Sequence, residues 1–395
     1  MTGEGTPTAD PAILGLLSAA AVRERAHEML GLALAGRVEG WRVDPDRLAE
    51  AADRTVAATR EAYPDLAIPF HARWRHFVAG APALPEGNAA QRARASFDLV
   101  ILSVLLDAGS GPGWRYRDRD GQVFARSEGL AVASQRMFES GALRAEAEAL
   151  ITLDAETLGQ GFQVDESNPL AGLDGRAALL RRLGSRMLER GDLFGGTLGG
   201  LYDVLATRAR GGRLPASAIL DLLLEALGPI WADRLTVGGV PLGDCWRHPA
   251  IRRADATDRL VPLHKLSQWL AYSLIEPLEE AGIEIVETDG LTGLAEYRNG
   301  GLFVDCGVLV LTDPADAERE HQVSDPLIVA WRAMTVALLD RMAPLVRERL
   351  GLKESEFPLA RMLQGGTWAA GRRIAAELRP GGGPPFNIIS DGTVF

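Results

Sequence analysis

The sequence predicts a mainly α fold with a few short strands. Apolar residues recur at three- and four-residue spacing through long Ala/Leu/Arg/Glu stretches, strict alternation is scarce, and Pro or Gly closes most of the runs. Ala12–Val22 reads as the first helix. Further helical stretches follow at Ala20–Ala35, Pro45–Glu61, Ala90–Leu106, Ser127–Glu139, Gly175–Arg190 and Ser217–Leu227. The second half continues with His264–Ala281, Asp325–Leu350 and Glu354–Leu378. The strand candidates are Ile283–Glu287 and Leu302–Leu311, with a short pair around Arg115–Tyr116 and Val123–Phe124 across the Asp118–Gly121 turn. No internal repeat or low-complexity linker marks a boundary. The expectation is a loose tail over residues 1–9 and one mainly helical catalytic domain over residues 10–395.

Composition narrows the function. With 395 residues and 47% hydrophobic content, the chain can bury an extended core. A net charge of −11 argues against a nucleic-acid partner, which would call for a basic stripe. Two cysteines, Cys245 and Cys306, are too few for a disulfide framework or a four-cysteine zinc site, and suit a reducing compartment. The N-terminus lacks a basic leader region, and no apolar run reaches the ~20 residues that span a bilayer. The expectation is a soluble, cytoplasmic protein with a small-molecule substrate and no membrane partner; nothing in the sequence specifies an oligomeric state.

Leu291–Asp305 places Glu296, Arg298, Asn299 and Asp305 in an otherwise apolar segment, the pattern of a site or of a solvated turn. Ahead of it, helical spacing in His264–Pro277 sets Lys265, Gln268 and Tyr272 on one side. Together these segments read as the walls of a small-molecule pocket. In Ser110–Arg117, glycines would let backbone approach a ligand and Trp114 stack on it, or the stretch simply ends a helix. Ser127 reads as the N-cap of the next helix, with ligand roles for Arg126 or Glu128 on top of that. Pro69–His76 concentrates two His, two Arg and a Trp, and is either an anion clamp or a core-anchored turn.

Metal is not expected. Cys245, His248, His264 and Asp305 are suitable ligand types, but no His-x-x-x-His or Cys-x-x-Cys spacing joins them. No Gly-x-Ser-x-Gly elbow supports a serine hydrolase, and Gly195–Gly200 has no strand before it, so it reads as a loop leading into a helix.

Several segments taken together resemble the uracil-catabolism protein family of fungi and bacteria, a domain of unknown function. They are Pro69–His76, Asp107–Tyr116, Arg126–Ala133, Phe162–Val164 with Asn168–Leu170, Trp246–His248, His264–Pro277, Leu294–Asp305 and Ser390–Phe395. The resemblance spans nearly the whole chain. It implies a step in uracil degradation through a ribosylurea intermediate, split into urea and a sugar.

Phe97–Trp114, His264–Gln268 and Leu291–Leu309 are more distantly similar to queuosine-phosphate N-glycosylases. That similarity implies a helical, DNA-glycosylase-like architecture. It sets Glu296 where those enzymes carry Asp, and matches Lys265, Tyr297 and Arg298 to their Lys and Tyr-Arg. Glu for Asp, Asn299-Gly-Gly301 for Val-Pro-Gln and His264 for Tyr are departures, which suggest a leaving group other than a large base.

The reading that results is a metal-independent N-ribosyl hydrolase without a cofactor. Glu296, Lys265 and Asp305 are its catalytic candidates. Trp114, Arg115, Arg126, Glu128, His264, Gln268, Tyr272, Tyr297, Arg298, Asn299, Arg73 and Asp391 are its substrate-binding candidates, with Arg298, Arg115, Arg73 or Arg75 facing a 5′-phosphate if the substrate carries one. The terminal Ser390–Phe395 is expected to dock near the pocket and to offer Asp391. A metal-dependent amidohydrolase acting on the urea carbonyl and a non-catalytic ligand-binding partner of uracil-pathway enzymes are the alternatives.

Overall fold

The structure, a computed structural model, describes residues 9–77, 84–111, 113–232 and 234–389. It is mainly α. The longer helices are α1 (Ala19–Leu34), α2 (Leu48–Ala62), α3 (Ala89–Leu105), α4 (Arg126–Glu139), α5 (Leu173–Glu189), α6 (Ala216–Leu227), α7 (Lys265–Glu280), α8 (Tyr297–Asp305), α9 (Pro326–Leu350) and α10 (Trp368–Leu378). Among the described residues the strands are short and form two-stranded pairs. The hairpin expected around Arg115–Tyr116 and Val123–Phe124 forms as an antiparallel pair, its first strand one residue later at Tyr116–Arg117, and Glu284–Val286 runs parallel to Arg213–Pro215. No helix of the described residues is long and apolar enough to cross a membrane.

Packing centres on α9, whose residues from Ile328 to Leu339 are all buried. Helices α1 and α2 lie against it, α7 packs on α3 and α6, and α8 packs on α10. Over Ile328–Leu339 the helix is covered on all sides and needs no polar face, while beyond it Arg341, Pro344 and Glu348 reach solvent.

Three stretches differ from the sequence reading. Ala12–Val22 is not one helix: Pro11–Gly15 ends before Ser18, whose hydroxyl accepts the Ala21 amide and starts α1. Leu302–Leu311 is not one strand: α8 runs to Asp305, and only Leu309–Leu311 is extended, paired antiparallel with Trp41–Val43. The helix wins because Glu296 caps it and because Gly300 lets it sit on Trp331, whose ring a Cβ there would meet at 2.7 Å. Glu354–Leu378 is interrupted. Leu359–Met362 passes into a π-helical turn, Leu363–Thr367, before α10. Gly366 there lies so close to α2 that a Cβ would stand 2.5 Å from the Thr55 and Thr59 side chains. The wider turn re-aims Gln364 and Trp368, and such turns concentrate at functional sites.

Candidate active site

The end of α3, the start of α4, the first turns of α7, the segment before α8, the start of α10 and the 383–389 segment, with its strand Asn387–Ile389, line a cavity of about 730 Å³. That is the size of small-molecule sites. Its chemistry lies in two layers.

The first layer is a buried polar network at the end of α3. Asp107 pairs with Arg73 at 2.9 Å and accepts the Ser127 hydroxyl at 2.9 Å. Arg73 is fully enclosed, and its remaining N–H groups reach the Ser103 hydroxyl at 2.7 Å and the Ser103 carbonyl at 3.1 Å. Burial drives the Asp107 pKa up, but Arg73, His76, Lys265 and the Ser127 hydrogen bond outweigh it, and the group stays below the usual carboxylate range. Ser127 is therefore not the cap of α4; Ala125 occupies that position, and no side chain caps the helix. Arg126, at φ +55°, turns the chain so that the Ser127 hydroxyl points back at Asp107.

Ser127 also fixes a tautomer. Its one hydrogen goes to Asp107, so it can only accept from His76 Nδ1, 3.1 Å away. His76 thus carries its proton on Nδ1. His71 Nδ1 faces Gln364 Oε1 at 3.0 Å and carries its proton there as well. Burial lowers both pKa values, to about 3 for His76 and about 4 for His71, and both rings are neutral at pH 7.

The second layer is Lys265 with Glu296. His264, in the left-handed region at φ +46°, turns the chain into α7, and Asp244 accepts the Lys265 amide at 2.9 Å. Arg332 of α9 holds Asp244 with two N–H groups at 2.8 Å each and donates to the Ala295 carbonyl at 3.2 Å. One guanidinium therefore clamps the segments that carry Lys265 and Glu296. The Glu296 carboxylate caps α8, accepting the amides of Arg298 at 2.7 Å and Asn299 at 2.6 Å. Burial raises the Glu296 pKa against the pull of those amides and of Lys265, and burial lowers the Lys265 pKa against Asp107 and Glu296. The Lys265 ammonium lies 5.8 Å from the centre of the Trp269 ring.

The cavity gathers Lys265, Glu296, Tyr297, Arg298, Arg126 and Glu128 from the sequence candidates. The others sit elsewhere. Gln268 and Tyr272 face away from it and brace Thr292, Gln268 accepting its amide at 3.2 Å and Tyr272 donating to its carbonyl at 3.0 Å. The helical side that looks inward is instead Lys265 with Trp269, four residues on. His264 is bonded to the Leu16 carbonyl at 3.0 Å, and Trp114 is a core residue donating to the Phe162 carbonyl at 3.0 Å. Arg115 binds the Trp114 carbonyl, and Asn299 the Leu294 carbonyl. Arg75 pairs with Glu276, and Arg73 lies behind Asp107. Asp305 is held bidentately by Arg379 at 2.8 and 2.6 Å, outside the cavity. Asp391 lies outside the described residues. Phe386 and Asn387–Ile389, just before it, do line the cavity, held by parallel pairing with Glu320–Gln322.

Asp107, Trp269 and Trp368 are cavity residues that the sequence reading passed over. Asp107 had a signal: an acid ending a strongly apolar helix immediately before a Gly/Pro loop. Among the described residues, no three His, Cys, Asp or Glu side chains converge as a metal-ligand set.

Residues 15–395 match the family described as protein of unknown function (DUF1688). The chain belongs to that family. It is 41% identical to Protein urg3 of Schizosaccharomyces pombe over 96% of this chain and 98% of that one. It is 37% identical to Uracil catabolism protein 4 of Lachancea kluyveri, over 83% of this chain and 85% of the yeast protein.

Proposed function

We propose that this DUF1688 protein is a hydrolase of uracil catabolism that cleaves the ribosyl C–N bond of a ribosylurea, releasing urea and the sugar. The Lachancea relative's name supports the pathway. The observation that carries the chemistry is a single cavity in which two buried carboxylates, Asp107 and Glu296, both act on the ammonium of Lys265.

Breaking a ribosyl C–N bond builds positive charge on the anomeric carbon and negative charge on the leaving urea. A fixed carboxylate answers the first, and Glu296 is fixed by two backbone amides. Lys265 answers the second: its lowered pKa makes it a better proton donor near neutrality. Water supplies the hydroxyl that bonds to the anomeric carbon, and its other proton passes to a carboxylate and restores Lys265. Atoms balance as ribosylurea plus water giving urea plus ribose. Asp107, held ionised, is the second base within the cavity and the charge that keeps Lys265 protonated until the leaving group needs the proton. Trp269 and Trp368 supply flat apolar walls.

The test is release of urea from ribosylurea and from its 5′-phosphate by purified protein, with the sugar identified by mass spectrometry. Urea and an intact sugar support the reading. Carbon dioxide and ammonia in place of urea overturn it in favour of attack on the carbonyl. Binding without turnover of either compound overturns it in favour of a sensor.

A further inference from the structure

Four cations line the cavity: Lys265, Arg372, Arg126 and Arg298. Two are already answered. Lys265 has Asp107 and Glu296, and Arg372 pairs with Glu128 at 3.2 Å. Arg126 and Arg298 make no ion pair among the described residues. Each gives one N–H to a loop carbonyl, Arg126 to Gly381 at 3.0 Å and Arg298 to Gly382 at 2.8 Å. These are consecutive carbonyls, so the two guanidiniums are tethered to the same loop within one cavity. Both charges also bear on the Tyr297 phenol.

Arg298 is 2% exposed, and its Nε has no acceptor. Arg298 lies over the Tyr297 ring, 4.8 Å from its centre, and feels the Glu296 charge, yet it makes no direct ion pair. A buried guanidinium with incomplete hydrogen bonding is costly and calls for a partner that arrives with the ligand. Two planar donor forks match the oxygens of a phosphate better than a single carboxylate, which one fork satisfies. The position fits a sugar phosphate. Arg298 follows Glu296 by two residues, so the cationic wall adjoins the carboxylate–lysine end and is not superimposed on it.

We infer that Arg126 and Arg298 form a phosphate subsite and that the ribosyl substrate enters as its 5′-phosphate. That the phosphate belongs to a ribosylurea rests on the function proposed above; the subsite itself does not. Arg73, Arg75 and Arg115 are excluded from this role, since none of them lines the cavity.

Titration calorimetry on the full chain tests it with ribose 5-phosphate, ribose and orthophosphate. Ribose 5-phosphate should bind at least about 10-fold more tightly than ribose, and orthophosphate should compete with it. Arg126→Gln should weaken ribose 5-phosphate about 10- to 100-fold, the range for losing a charge-assisted contact, with Arg126→Lys recovering part of the loss. Arg298→Gln should do the same. Should that variant fail to fold, the half-exposed Arg126 carries the test. Equal affinity for ribose and ribose 5-phosphate, or no effect of Arg126→Gln, overturns the subsite. Turnover separates the two readings. Urea released equally well from free and phosphorylated ribosylurea sinks the subsite and keeps the hydrolase. Tight, Arg126-dependent binding of ribose 5-phosphate without urea from either compound keeps the subsite and sinks the hydrolase.

Discussion

Arg73 and Asp107 form an ion pair at 2.9 Å in which the arginine is fully enclosed while the acid borders the cavity. The pair joins stability to function: the residue with no access to ligand holds the charge of the one that has it. Arg73→Met should destabilise the protein by about 3–5 kcal/mol, because a buried carboxylate then loses its counter-ion. Adding Asp107→Asn should recover part of that loss while leaving activity low. Denaturant midpoints of the single and double variants check this, and a double variant no more stable than Arg73→Met would show that the pair is not the source.

Two neutral histidines set an acid limit. His71 and His76 have folded pKa values of about 4 and about 3, below the ordinary value of 6.5. The unfolded chain therefore binds more protons between those limits, and stability is lost as pH falls through 6.5 toward about 4 for His71 and about 3 for His76. Above about pH 8 neither histidine contributes appreciable pH dependence. Melting temperatures between pH 4 and 8 should show this acid limb, and His76→Gln should flatten it. An unchanged limb in that variant would assign the acid sensitivity to the carboxylates.

Helical periodicity made most of the fold legible, because α1 to α7 and α9 each carry their own apolar spacing, with side-chain caps added at α1 by Ser18 and at α3 by Asn88. What it missed was decided by contacts between distant segments. Leu302–Leu311 carries a β-like apolar run, yet Gly300 against Trp331 and the Glu296 cap make its first part helical. In the site, Lys265, Glu296 and Arg298 were legible as charges set in apolar sequence. Gln268 and Tyr272 share that spacing, but Gln268 Oε1 and the Tyr272 hydroxyl are spent on Thr292. Asp244 and Arg332, which align the two functional segments, are 88 positions apart in the chain and give no local signal.

Asp305 offers a contrast. Its carboxylate is bound by Arg379, which also donates to the Gly383 carbonyl at 3.0 Å and so steadies the loop bearing Gly381 and Gly382. Asp305→Asn should cost about 1–2 kcal/mol of stability, as for a partly buried ion pair, and should leave kcat within about threefold. Urea-release kinetics with melting curves check it. A kcat loss as deep as that of Glu296→Gln would return Asp305 to the mechanism.

Activity should survive exhaustive EDTA treatment. The groups best suited to a metal are committed elsewhere: burial pushes the Cys245 thiol up to about 12, His264 binds a backbone carbonyl, and Glu296 caps a helix. Stoichiometric zinc by elemental analysis, with activity lost on its removal, would move the assignment to an amidohydrolase.

Glu296→Gln is the decisive variant, because the residue has two separable jobs. As the cap of α8 it accepts two amides; Gln keeps one oxygen acceptor and loses the other, so a modest loss of about 0.5–2 kcal/mol is expected. As the fixed negative charge beside Lys265 it stabilises the cationic transition state, and Gln has no charge to offer. The chemical loss should fall on kcat, by about 10²-fold or more, with KM little changed. A purely structural role predicts the opposite balance: a lower melting temperature with kcat near normal in the protein that remains folded. Measuring kcat well below the variant's melting temperature separates the two. Near-normal kcat there would remove Glu296 from the chemistry and leave Asp107, the other carboxylate acting on Lys265, as the group that carries it.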